Sequence, residues 1–545
     1  MHPKNPTKKS VRQPLVFARE TTGLVKAASS GQAAIWNVAG SMGSKFPWSV
    51  ARLGIFPAVL IMGWSPYLWT ALLVGLGCYL LAIISVQTTC AMPRSGADYV
   101  VPSRLIGPFW GWIQSWMLVC TLVPLWGYNT WVTIRNIKQL FDILRIGGIT
   151  NISLPWILDG FPALFIGVVV IIIGTTICFM PAKRYYQTIG VVGGLAVFSL
   201  LIMEVGAAMV SQPAFSENMR RLLGVTPESV LQNAITNGFN PNQGLDFAGT
   251  ASLAGLSLFA LAGFQFSANI SGELKGNVRN SLLISILGSL TFYLAIYIPF
   301  VWLMLSKFNY NLVLAWSYLF WNAKSGPPLS LPPINALLLT IAFPNAALLW
   351  AVAGLAAIIG GWLAIPVQML YINRTAIYWG MDRMVPSTLS EINPRFHQPM
   401  KLVAIEGILA TAFFGLTLLK VNPITYLWWG TLLLFPTFIF PGISALMLSR
   451  RRPELLHSVP WRKWLTPLAI VWLIFIVPLY AFAGFIGSVP SFAPSTLMWQ
   501  YAMSTGLEAT LFAIVAGILI YFVTRAYNVR RKIDVELIFK SIPSE

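Results

Sequence analysis

The chain has 545 residues, 56% of them hydrophobic and only 10% charged, with a mean hydropathy of +0.70. Soluble domains carry about 25% charged residues, so this composition excludes an ordinary soluble protein and points to a polytopic all-α membrane protein. The formal charge is 36 − 17 = +19, which basic loops on one membrane face explain without nucleic acid.

A polar, basic tail covers residues 1–30 and lacks the short apolar core of a cleaved signal. Twelve apolar stretches of spanning length follow, at 31–56, 66–90, 108–134, 160–180, 184–211, 246–273, 280–306, 344–375, 400–419, 423–449, 464–487 and 503–526. With the N-terminus inside, 26 of the 36 Lys and Arg fall on the inner side and 10 on the outer. Both termini are therefore expected in the cytoplasm, beneath a cell membrane. Arg450-Arg451-Arg452 and the tail at 527–545 are the strongest anchors.

Span 1 reads AAIWNVAGSMGSKFPWSV, with Gly40 and Gly43 in mid-pattern and Lys45 and Pro47 after them. Span 6, in SLFALAGFQFSANISGELK, shows a helical pattern that stops near Ala262-Gly263 and resumes from Ser267. Each stretch has two open readings. One is a kinked helix with Gly at a packing contact. The other is a discontinuous span, whose freed N–H and C=O groups are tolerated only where they line a protein-walled cavity. Breaks at corresponding positions, five spans apart, favour the second and divide the chain into repeats at 31–211 and 246–449, with 464–526 as an appended pair. A helix leaving a break presents N–H groups suited to a carboxylate, and one entering it presents carbonyls suited to an ammonium. Two facing breaks hold a zwitterion without any charged side chain.

The outer loop at 212–245 is expected to form a short amphipathic helix, and 307–343 a hairpin over the outer face. Cys78, Cys90, Cys120 and Cys178 lie in apolar stretches without metal-ligand spacing, and His2, His397 and His457 lie in loops or the tail. No metal or cofactor is expected. An embedded enzyme would need clustered His, Cys or acids; the in-span acids Glu204, Glu406 and Glu508 are scattered. A passive channel, the alternative reading, would favour a ring of like polar residues.

Four stretches resemble amino acid–polyamine–organocation permeases. They are AMPRSGADYVVPSRLIGPFWGW (Ala91–Trp112), FALAGFQFSANISGELKGNVRN (Phe259–Asn280), NRTAIYWGMDRMVPSTLSEINPRFHQP (Asn373–Pro399) and FARETTGLVKAASSGQAAIWN (Phe17–Asn37). The resemblance implies a leucine-transporter-type fold with twelve helices, five plus five in inverted repeat and two more. It also implies secondary transport of an amino acid or related amine. The N–H groups of Met42, Gly43 and Ser44 would take the substrate carboxylate. The carbonyls of Val38, Ala39, Phe259, Ala260 and Ala262 would take the amine, with Phe259 stacking over the substrate or simply packing in the core.

The chain departs from that family at Gln265, where members often carry Glu after the span 6 Gly263-Phe264, and at Lys45, where members have a small residue. Lys45 has three open readings: a vestibule residue, a partner for the substrate carboxylate, or a tethered cation in the amine subsite. All three disfavour cationic substrates. Span 8 at 358–368 reads IIGGWLAIPVQ, without the hydroxyls that a sodium site between spans 1 and 8 needs. Glu204 is the remaining coupling candidate, as an ionisable group within span 5.

Overall fold

The computed structural model describes residues 17–18, 21–42, 64–241, 262–321, 331–419, 423–481, 497–533 and 535–543. Among them the chain is helical apart from one isolated parallel bridge, Ala28 to Leu274. Helix α1 (Ser30–Met42) begins at a reciprocal cap in which Ser29 N donates to Gln32 Oε1 (3.0 Å) and Gln32 N to Ser29 Oγ (3.3 Å). That pairing satisfies two of the first-turn N–H groups. Then come α2 (Trp64–Ala91), the short α3 (Ala97–Leu105), α4 (Pro108–Ile146), α5 (Gly160–Phe179) and α6 (Ala182–Ala208).

Nine helices among the described residues are long and apolar enough to cross a membrane. Their burial separates an inner from an outer shell: 83% of the α4 window is buried, against 22% at Glu508–Arg530. The outer helices present Phe165, Ile172, Phe512 and Val523 outward, as a lipid-facing shell requires. The described residues thus form an all-helical, multi-pass membrane architecture.

Some boundaries differ from expectation. Helix α4 runs to Ile146, twelve residues past the expected end of span 3, because Arg135, Lys138, Asp142 and Arg145 continue it as a polar helix with a Lys138–Asp142 ion pair at 2.5 Å. The 212–245 loop holds two helices, α7 (Gln212–Leu223) and α8 (Pro227–Thr236), separated where Gly224 adopts φ +70° and Thr226 caps α8. Span 8 is two helices, α13 (Ala347–Trp362) and α14 (Ala364–Met381). Pro366 lacks the N–H that would bond Trp362, so the helix steps at Leu363. The stretch 376–381, expected as loop, continues α14, and every residue of α14 is buried.

After span 6, helix α9 (Val278–Leu282), a π turn (Leu283–Gly288) and α10 (Ser289–Lys307) form the next span. Helices α11 (Tyr310–Trp321) and α12 (Asn335–Ala342) occupy the 307–343 region. Helices α15 (Met400–Leu418), α16 (Pro423–Arg451), α17 (Leu465–Ala481), α18 (Leu497–Arg530) and α19 (Val535–Lys540) complete the order.

Candidate functional site

The expected break in span 6 contains Ala262–Gln265, which are turn backbone, followed by a 3-10 segment (Phe266–Glu273). Gly263 has φ +116°, in the region that only glycine enters without strain. Leaving the α-helical path frees peptide groups that a membrane interior cannot solvate. Gln265 Oε1 accepts from Gly263 N (3.3 Å), so the side chain that stands in place of the family's Glu bonds the turn itself. Gly263 O accepts from Phe266 N (3.1 Å), and Phe264 O accepts from Ser289 Oγ of α10 (3.3 Å).

Asn37 of α1 pairs with the 3-10 segment that follows. Its Oδ1 accepts from Ser267 N (2.7 Å), and its Nδ2 donates to Ser267 Oγ (2.9 Å) and to Ser285 O (2.7 Å). The π turn is what leaves Ser285 O open to a side chain, since its backbone register is displaced there. Span 1, the 3-10 segment of span 6 and the π turn are thus joined through one buried amide.

A second amide, Asn269, does the same toward the other side. Its Nδ2 donates to Tyr371 O (3.0 Å) and Thr375 Oγ1 (3.0 Å) of α14. Its Oδ1 accepts from Asp98 N (3.1 Å), and its backbone O accepts from Gly96 N (2.9 Å), at the start of α3. Phe266 fills the space between these anchors. Its ring lies 4.5 Å from Tyr371 and 6.0 Å from Trp36, centroid to centroid.

At the end of the 3-10 segment, Glu273 and Arg374 form a fully buried bidentate pair, Nε–Oε1 2.6 Å and Nη2–Oε2 2.8 Å. Tyr186 of α6 donates to the same carboxylate (3.2 Å), and Gln398 Oε1 accepts from Arg374 Nη1 (2.9 Å). Glu273 O accepts from Ala27 N and Ala28 N, and Ala28 O accepts from Lys275 N. The segment before span 1 is therefore tied to the exit of span 6. A parallel pair, Arg104–Asp382 at 2.5 and 2.7 Å, ties α3 to the end of α14.

Of the expected site residues, Val38 and Ala39 are buried in α1, and α1 remains helical to Met42. Ala39 packs toward Gly193 of α6, while Gly40 faces Phe266. Ala262 and Gly263 are buried and Gln265 is partly buried, all at the turn. Gly43, Ser44, Lys45, Phe259 and Ala260 lie outside the described residues. Glu204 is half-buried one turn from the end of α6, between exposed Leu201 and Val205. It lies about 16 Å along the helix from the level of Ala39, eleven residues beyond Gly193.

Asn37, Asn269, Arg374 and Asp98 were not singled out in the sequence. A signal existed for the first two, since an Asn in a membrane span needs an interior partner. Arg374 and Asp98 read as loop charges until their elements were seen to be buried.

Residues 31–507 match the profile of a family described as "Amino acid permease". Over 479 residues the chain is 25% identical to a protein of Lactococcus lactis subsp. cremoris (strain MG1363), the branched-chain amino acid permease BcaP, covering 86% of this chain and 87% of that protein.

Proposed function

This chain belongs to the amino acid permease family, as a membrane transporter and not an enzyme, and from that premise we propose that it carries a neutral amino acid by alternating access. The proposed architecture is the leucine-transporter type, with twelve spans, a five-plus-five inverted repeat, two appended spans and both termini in the cytoplasm. Substrate sits between the span 1 and span 6 breaks. The N–H groups of Gly43 and Ser44 take its carboxylate and the carbonyls of Phe259, Ala260 and Ala262 take its amine, whereas Met42 N–H and Val38 C=O pair within α1 and so, with Ala39, only wall the site. Gly263 and Gln265 shape the turn beside it.

The observation that carries this reading is the Asn37 amide. It holds the 3-10 segment that follows the span 6 turn against α1, so irregular backbone exists at bundle depth where a cavity wall is needed. Branched-chain substrates are the first to test, because the relative is named for them. Lys45 near the entry disfavours diamines through charge repulsion. Proton coupling or exchange is favoured over sodium, since 358–368 offers no hydroxyl ligands, and a hard cation wants oxygen donors. Glu204 is one candidate for the coupling group.

The test is counterflow of radiolabelled leucine in proteoliposomes holding the full-length protein, with competition by a panel of amino acids and amines. Saturable counterflow, inhibited by neutral amino acids more than by lysine or putrescine, is expected. Non-saturable flux without counterflow would replace the transporter with a passive pore.

A further inference from the structure

A cavity of about 20 Å³ lies between α2, α3, α4 and α16, with Ser85, Thr88, Thr89, Asp98, Gln114 and Ser444 on its wall. That volume holds about one water. Gln114 Oε1 and Ser444 Oγ are buried and have no hydrogen-bond partner in the protein. A polar guest in the cavity would supply one. Asp98 brings the single carboxylate on that wall.

Asp98 also faces the site already described. Tyr371 of α14 donates to its Oδ2, and its own N–H is held by Asn269 of the 3-10 segment (3.1 Å). Tyr371 in turn packs on Phe266, and a Cβ on Gly40 would stand 2.7 Å from that ring. The carboxylate is therefore one hydrogen bond and one ring contact from Phe266, the aromatic between span 1 and span 8.

Several of the surrounding cations are already engaged. On α3 itself Arg104 is held by Asp382, and on α14 Arg374 is held by Glu273 of the 3-10 segment. Arg94 donates to Pro543 O (2.7 Å) and Pro93 O. Helix α2 carries no charged residue and brings Cys90 to this end, and α4 carries none before Arg135. On α16 and α19, Arg451 donates to Ile106 O and Lys540 pairs with Glu536 at 3.9 Å. Burial pushes the Asp98 carboxyl up to about 7, because a desolvated carboxylate favours its neutral form.

We propose that Asp98 and this cavity form a proton-binding site that couples proton movement to the position of the 3-10 segment of span 6 against α14. The inference rests on the permease reading. A hydronium in the cavity gives its proton to Oδ1, since Tyr371 already donates to Oδ2, leaving a carboxylic acid and a water. The ionised form grips Tyr371 more tightly, as a charge-assisted bond. Burial of that charge outweighs the bond, so protonation favours the packed arrangement of α3, the 3-10 segment and α14, and ionisation loosens it.

The experiment uses the full-length protein in proteoliposomes with radiolabelled leucine, measuring both accumulation under a pH gradient and leucine–leucine exchange across pH. Wild type is expected to accumulate leucine with an acidic exterior. Asp98→Asn should lose that accumulation, and its exchange should no longer vary with pH. Tyr371→Phe keeps the carboxyl but removes a bond to its ionised form, so its pH midpoint should rise by about one unit. Gradient-driven accumulation in Asp98→Asn equal to wild type overturns the proposal. So does accumulation driven by sodium in place of protons. Should Asp98→Asn fail to fold, an unshifted midpoint in Tyr371→Phe overturns it alone. Wild-type exchange without any pH effect defeats this inference and leaves the permease reading standing. No exchange of any amino acid defeats both.

Discussion

Single buried polar side chains hold the irregular backbone of span 6, and their removal has calculable consequences. Arg374→Met strands the Glu273 carboxylate at zero exposure. Losing one partner of a buried pair costs about 3–5 kcal/mol, so a large drop in thermal stability in detergent is expected. The double variant Arg374→Met/Glu273→Met should recover most of it, because an apolar pair of similar volume leaves no buried charge. Asn37→Leu strands Ser267 N–H and frees Ser285 O, at a cost of about 1–3 kcal/mol per unsatisfied group. Leucine counterflow should be lost in it before the protein unfolds.

Asp98 makes a pH prediction for stability. Its folded carboxyl sits near 7 and its ordinary value is 3.8. Between those values the unfolded chain has lost the proton and the folded one keeps it. Stability should therefore fall as pH rises from 4 to 7 and be flat beyond. Thermal melts of Asp98→Asn should lack that slope; an unchanged slope assigns it to another group.

Between elements, glycines set how closely helices approach. At Gly40 an added Cβ would meet Phe266 at 2.7 Å and Val367 at 3.0 Å. At Gly111 it would meet the Ser103 backbone at 2.6 Å, where α3 crosses α4. The two differ in what can yield. Phe266 is a side chain and can rotate, whereas the Ser103 backbone cannot move without its helix. Overpacking costs about 1–3 kcal/mol, and Gly111→Val should be the more severe of Gly40→Val and Gly111→Val in a melting comparison. Phe266→Ala should restore stability to Gly40→Val and not to Gly111→Val. Equal rescue of both would mean that the contact at Gly111 is not a backbone contact.

At the scale of the molecule, α4 is the longest helix among the described residues, with 39 residues, about 58 Å end to end. A hydrocarbon core is about 30 Å thick, so α4 tilts or projects, and its charged last turns fit a projecting end. The lead-in segment, α3, the exit of span 6, the end of α14 and α19 meet at one end of the bundle through Arg94, Arg374, Arg383 and Arg452. Both terminal segments thus share a face, which the proposed topology puts in the cytoplasm on the strength of the Lys and Arg excess. Single cysteines placed at Arg395 and at Arg221 test this with an impermeant thiol reagent on intact cells. Labelling is expected at 221 alone, and labelling at 395 would invert the topology.

The sequence by itself determined that the chain lives in a membrane, that it is helical, and which family it resembles. Those conclusions rest on hydropathy, charge asymmetry and local motifs, all of which act over a few neighbouring residues. It also pointed to Gly263, because a glycine within an apolar span carries a local backbone signal. The partners of that glycine's turn were decided only in three dimensions. Asn37 and Ser267 are 230 residues apart, and Glu273 and Arg374 are 101 apart. A buried polar group must find a partner, but nothing local says which segment supplies it. The helical packing that brings α1, α3 and α14 around span 6 chose those partners. It also turned Asp98 from a loop charge into a partly buried carboxyl beside a water-sized cavity.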